Sequence, residues 1–467
     1  MPAATPSAGL PTPQRWYAMA TILLGIALSV IDSTVVNLAL PGMVRDFHAS
    51  ASAGVWVVNA YQLATLVLLL PLAHLGERWT YRRVYLGGAI VFTAASALCA
   101  MADSLWLLAA ARALQGAGAA GIMAVNAALV RMTYPPEHLG RGIAINSITV
   151  ATASVAGPVV AAAILSVASW PWLFLVNLPL GIVLVLLGRR VLPCNEVRRG
   201  ASEVSPLDVV LNGSMFVLLF LGADLLGASV RGSDGDAGAA RWGAMLLAAC
   251  IAVGIVHVRR QRSRTHPLLP IDLLRIPVFR LSMATSVCAF AAQMSATIAL
   301  PFLFLEAWNL APSQAGLLMA CWPLGVIVAA MQAGRMIGRW HDGLLGALGL
   351  AILASGLALM AITAAGSSPQ QAWWRLALCG IGFGLFQSPN NHTIITSAPP
   401  QRAGAASGML GTARLTGQST GAALLALVYA ITSAREHGGA SMALSLAAGL
   451  AAVAAVFSAL RIRTTRH

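Results

Sequence analysis

Residues 105–130 read LWLLAAARALQGAGAAGIMAVNAALV, and how this stretch is read decides the fold. Inside it, GAGAAG (116–121) is a literal G-x-G-x-x-G, the glycine pattern that lets a backbone approach a dinucleotide pyrophosphate. That function requires a strand before the glycines and a helix opening on them, within a βαβ unit. Here the glycines sit in the middle of 26 residues whose one charge is Arg112. A run of that length and apolarity is a transmembrane helix. The glycines then give a smooth helix surface for close packing rather than a phosphate cradle.

The rest of the chain agrees. Of 467 residues 58% are hydrophobic and 9% charged, against about 25% charged in soluble domains. A soluble fold of this length would lack the charges to cover its surface. Apolar runs separated by polar or Pro/Gly breaks number fourteen, from 16–38 to 440–460, and an even number places both termini on one side. The class is an all-α polytopic membrane protein.

Every one of the 29 basic residues is arginine. With the N-terminus in the cytoplasm, 22 of them fall in cytoplasmic loops, tails and helix ends, and Arg45, Arg231, Arg241 and Arg435 fall outside. This is the positive-inside bias, so the net charge of +14 reflects orientation and contact with anionic lipid rather than nucleic-acid binding. The six cysteines lie far apart and show neither a disulfide framework nor metal spacing. Residues 1–15 lack the basic start and cleavage site of a secretory signal and read as a disordered cytoplasmic tail.

The chain repeats itself. Gly116, Gly118, Asn126, Pro135, Pro136, Gly140 and Gly157 align at an offset of 264 with Gly380, Gly382, Asn390, Pro399, Pro400, Gly404 and Gly421. Paired helix bundles around a central site are a common transporter plan. Six spans occupy about 180 residues at the spacing of these runs. The longer offset therefore leaves room for an inserted helix pair, and a 6+2+6 arrangement follows. Its parts are a six-helix bundle over 16–192, an inserted pair with cytoplasmic linkers over 193–278, a second six-helix bundle over 279–461, and a cytoplasmic tail over 462–467.

Five stretches carry a family resemblance: IDSTVVNLALP (31–41), LGERWTYRRVYLGG (75–88), RALQGAGAAG (112–121), ASVAGPVVAAAI (153–164) and WPWLFLVNLPLGI (170–182). In this order they resemble the major facilitator superfamily, specifically its fourteen-span drug:proton antiporters. The resemblance implies the 14-helix fold and multidrug efflux by alternating access. It also implies a latch role for Glu77, Arg78, Arg82 and Arg83 in the loop after the second span. Gly157 and Pro158 match the antiporter motif of the fifth.

Ionisable residues inside spans are functional candidates by default. Asp32 lies nine residues before Pro41, roughly 13 Å along the helix, and Arg112 eight residues after Ser104, roughly 12 Å, both counted from the same membrane face. Opposite charges at matched depth can pair. Low dielectric favours a neutral acid and a neighbouring guanidinium favours the carboxylate, so the two are candidates for proton coupling. Trp56, Asn59, Tyr61, Gln62, Gln115, Asn126, Gln293 and Glu306 are candidates to line a substrate cavity, though polar groups also serve as helix glue.

These readings converge on a proton-coupled antiporter exporting lipophilic, cationic drugs across a bacterial inner membrane. The expected protein is a monomer in contact with lipid, with no metal and no cofactor beyond the proton gradient. A second reading keeps the fold and exports an endogenous metabolite, peptide or antibiotic. A membrane-embedded enzyme or sensor would need a catalytic constellation or a long hydrophilic segment, and the sequence offers neither.

Overall fold

In a computed structural model of the chain, the described residues are 9–49, 51–195, 205–231, 237–262, 268–310, 312–364, 371–431 and 437–464. The regular elements among them are helices. In hydrocarbon a backbone satisfies its own N–H and C=O groups only by closing hydrogen bonds within one segment or around a barrel, which is why long apolar runs become helices.

The first compact unit comprises Met1–Glu203 together with Ala398–Gly411. It contains α1 (Thr12–Asp46), α2 (Ala51–Arg78), α3 (Tyr81–Ala100), α4 (Leu105–Thr133) and α5 (Leu139–Leu165), then the broken pair α6 (Trp172–Leu175) and α7 (Asn177–Val191). The second comprises Val204–Ser397 and Thr412–His467. It begins with α8 (Pro206–Arg231) and α9 (Ala237–Gln261), which pack on each other. A short α10 (Ile271–Leu274) leads into α11 (Pro277–Phe302), which continues as a π-helical turn, Leu303–Ala307. Then follow α12 (Pro312–Met336), α13 (Asp342–Ala364), α14 (Ala372–Ser397), α15 (Ala403–Ile431) and α16 (His437–Thr464). Helix α15 starts in the first unit and runs on into the second.

Eleven helices among the described residues are long and apolar enough to cross a membrane, against the fourteen spans expected. The expected spans 207–227, 373–397 and 404–432 are occupied by α8, α14 and α15, of 26, 26 and 29 residues. Polar residues within α14 (Gln387, Asn390, Asn391, His392) and α15 (Arg414, Gln418) dilute their apolar character. In α8 the apolar stretch is the shorter Pro206–Gly222.

Helix α1 begins at Thr12, ahead of the expected start at 16, because Pro13 in its first turn has no N–H to leave unsatisfied. The residues before it are also held. Leu10 N–H donates to Thr133 O at 3.1 Å, and the Arg15 guanidinium donates to Leu10 O and lies over the Tyr134 ring. Residues 1–8 and 465–467, parts of the two expected tails, lie outside the described set.

Helix α4 packs between α2 and α3, and its glycines explain how. A Cβ on Gly116 would stand 2.3 Å from the Tyr61 carbonyl of α2, and one on Gly118 would stand 2.4 Å from the Phe92 nitrogen of α3. The backbones touch because no side chain intervenes. The aligned glycines of the second unit behave alike: a Cβ on Gly380 would meet Trp322 O of α12 at 1.9 Å, and one on Gly382 would meet Leu353 N of α13 at 2.4 Å. The helix-packing reading of GAGAAG is the one the fold bears out.

Candidate functional site

Asp32 lies midway along α1 and is 1% exposed; Arg112, on α4, is fully buried. One Arg112 Nη1 donates to Asp32 Oδ2, closing an ion pair in which neither side chain reaches solvent. Asp32 Oδ1 accepts from Gln115 Nε2 and from Asn177 Nδ2, both at 2.8 Å. The carboxylate thus takes three donors, one of them charged. Gln115 also donates to Ser96 Oγ at 2.8 Å, while its Oε1 accepts from Arg112 Nη1 at 2.6 Å and from the Cys99 thiol at 3.6 Å.

The fold supplies each member separately. Arg112 and Gln115 share one face of α4 because they are three residues apart. Asn177 is the first residue of α7, directly after the break that follows α6. Arg112 is further fixed by its Nε donating to Val57 O at 3.2 Å and by the Tyr61 ring, 4.3 Å from the guanidinium carbon. A guanidinium over an aromatic face is attracted by the ring quadrupole. Tyr61 in turn donates its hydroxyl to Ser29 O at 2.9 Å. Arg112 Nη2 is buried with no hydrogen-bond partner among the described residues.

Gly157 serves this site from behind. A Cβ there would stand 1.9 Å from Thr34 Oγ1, so glycine lets α5 press on α1 two residues from Asp32. The side chain of its neighbour Pro158 lies outside the described set.

The structure sorts the expected cavity residues. Gln115 and Tyr61 hold Asp32 and Arg112. Asn126 is buried and donates to Asn146 Oδ1 at 2.9 Å, a bond between α4 and α5. Asn59 is buried on α2, with Trp56 and Gln62 half-buried beside it. Gln293 is half-buried on α11 of the second unit. Glu306 falls in the π-helical turn, and its side chain lies outside the described set. Asn177, Ser96 and Cys99 were not singled out from the sequence. The available signal was a polar residue interrupting an apolar run.

A second charged cluster lies in the same unit. Glu77 is buried, its Oε2 accepting from Arg402 Nη1 at 3.0 Å and its Oε1 from the Ala405 backbone N–H at 2.7 Å. Tyr81 Oη accepts from Gly404 N–H at 2.8 Å. An anionic oxygen at the first turn of α15 meets the positive end of the helix dipole. Arg131 adds a bond to Ala398 O at 2.9 Å. Arg78 ends α2, while Arg82 donates to Cys194 Sγ at 3.4 Å and the Arg83 backbone N–H caps α3 through Thr80 Oγ1. Glu77, one of the expected latch residues, holds 398–411 through Arg402 and the Ala405 N–H. That arginine lies 325 residues away in sequence, beyond the reach of any local motif.

No cluster of three or more His, Cys, Asp or Glu that could hold a metal occurs among the described residues.

The model of the Major Facilitator Superfamily matches residues 22–422. The chain is 48% identical over 98% of both chains to an uncharacterized transporter, YebQ, of Escherichia coli strain K12. It is 29% identical to the multidrug efflux pump LfrA of Mycolicibacterium smegmatis, covering 91% of this chain and 83% of the pump. Among solved structures it resembles the human organic anion transporter MFSD10 with a TM-score of 0.70, at 15% identity, over 95% of this chain and 99% of that one.

Proposed function

The chain belongs to the Major Facilitator Superfamily and is a multi-pass membrane transporter rather than an enzyme; from that premise we propose that it is a proton-coupled antiporter exporting lipophilic, cationic compounds. The proposed form has fourteen crossings in a 6+2+6 order, with both termini in the cytoplasm of a bacterium. In support, α8, α14 and α15 have 26, 26 and 29 residues, each long enough at 1.5 Å per residue for a hydrocarbon core of about 30 Å, beside the eleven apolar helices.

The observation that carries the reading is the buried Asp32–Arg112 pair with its amide donors. Protonating Asp32 where it stands would leave Arg112 an uncompensated cation in a dry site, which costs several kcal/mol. A proton can therefore bind only if the guanidinium shifts, and a shift of Arg112 pulls on Val57, Gln115 and Tyr61 together. Proton binding and helix rearrangement become one event, as coupled transport requires. A cationic cargo would compete for the same carboxylate. The Glu77–Arg402 contact is the proposed latch that opens and closes with each cycle. The multidrug efflux pump among the relatives supports export of drugs as the cargo class.

The test is transport of ethidium, a lipophilic cation, in proteoliposomes under an imposed pH gradient. Wild type should move dye against the proton flow, and Asp32→Asn should lose the gradient dependence. Dye moving with the protons, or an unchanged Asp32→Asn variant, would overturn antiport through this site.

A further inference from the structure

The inserted pair α8–α9 contains a second buried titratable group that the Asp32 site does not use. His257, on α9, has no exposed surface, and neither ring nitrogen has a hydrogen-bond partner among the described residues. One turn further along the same face, Gln261 is 1% exposed; its Oε1 accepts from Leu268 N–H at 2.8 Å, and its Nε2 has no acceptor among the described residues. Across the interface on α8, Asp208 is buried, and its Oδ1 accepts from Arg260 Nε at 2.6 Å. Asn212, one turn deeper than Asp208, places a further polar side chain on the facing surface. Among the described residues, the charged groups beside the imidazole are Asp208 on the opposite helix and Arg260 on its own.

A neutral imidazole has one N–H donor and one lone pair, and leaving both idle in a buried place costs about 1–3 kcal/mol for each group. Leucine or phenylalanine would fill the position without that cost. What histidine adds is the capacity to take a proton, which converts the idle lone pair into a second donor beside a carboxylate.

We infer that His257, faced by Asp208 across the α8–α9 interface, is a proton-binding site in which the imidazolium competes with Arg260 for the Asp208 carboxylate. The ligand is a proton from the aqueous phase at the arginine-bearing end of the pair, the cytoplasm in the orientation proposed above. The ring nitrogen lone pair accepts it from hydronium, which leaves as water. Arg260, which is part-exposed, then turns to solvent or lipid phosphate.

Nitrogen NMR of full-length, histidine-labelled protein in lipid bilayers tests the site without requiring transport, so failure here is separable from failure of the antiport reading. The spectrum of wild type minus that of His257→Gln isolates one ring among nine histidines. It should pass from neutral imidazole to imidazolium between about pH 8 and 5. Asp208→Asn, which removes the stabilising anion, should move that transition to lower pH. A ring that stays neutral across the range, or a midpoint indifferent to Asp208→Asn, would overturn the assignment. His257→Asn serves as a second reference if His257→Gln does not fold.

Discussion

Arg112 reaches Asp32 across 80 residues of sequence, and the pair they form is closed to solvent on both sides. A buried pair of this kind contributes little net stability when whole, yet removing one partner costs about 3–5 kcal/mol because the other charge is stranded. Asp32→Asn should therefore lower the melting temperature of the purified protein as well as abolish gradient-driven transport. The double variant Asp32→Asn, Arg112→Gln should recover most of the stability and none of the coupling. Thermal unfolding and proteoliposome transport measured on the same preparations separate the two effects.

Asn177 gives Asp32 Oδ1 one of its two amide donors. Asn177→Ala removes a hydrogen bond to a charged acceptor, worth about 1.5–3 kcal/mol. Asn177→Asp sets a second acid against the first and should be the more damaging of the two. Maximal transport rate at saturating dye should rank wild type above Ala and Ala above Asp. An Asp variant as active as wild type would show that Asn177 does not face the carboxylate.

For the Glu77–Arg402 pair, charge exchange is the cleanest probe. Glu77→Arg opposes two cations at a buried position and should block transport. Arg402→Glu in the same chain restores opposite charges, although the Ala405 N–H then loses its acceptor. Partial rescue of dye efflux by the double variant is the expected result.

The α4 glycines predict stability directly. Gly116→Ala would push a methyl group against the Tyr61 carbonyl and should destabilise by about 1–3 kcal/mol, the usual cost of overpacking. Gly87→Ala, on α3, meets nothing within 4 Å and should be neutral or stabilise by about 0.5–1 kcal/mol through the helix preference for alanine. Melting temperatures of the two single variants in one detergent check the contrast.

The membrane class and the pairing of Asp32 with Arg112 were legible in the chain because burying charge in hydrocarbon is so costly that each exception stands out. The glycine run was legible too, once its apolar flanks ruled out a phosphate loop. The arginines were read less well. Arg402 and Arg461 were both counted as topology signals, yet both are buried. Arg402 holds Glu77, while Arg461 Nη1 donates to Ser282 Oγ at 3.0 Å and Asn390 Oδ1 at 2.8 Å, tying α16 to α11 and α14. A positive-inside count registers where a cation lies along the chain and is blind to which way its side chain turns.

The sequence by itself determined that this chain spans a membrane many times, that its halves repeat, and that one buried acid and one buried base are candidates to pair. Hydropathy and repetition are properties of the chain read in order, and they survive without a fold. Only the tertiary structure decided that Gln115, Asn177 and Ser96 complete the Asp32 site, that Glu77 finds Arg402, and that His257 is buried with neither nitrogen partnered among the described residues. Those facts depend on which helix faces which. Facing depends on close helix approach at glycines such as Gly116, where the Tyr61 backbone leaves no room for a Cβ, and Gly157, where the Thr34 side chain leaves none.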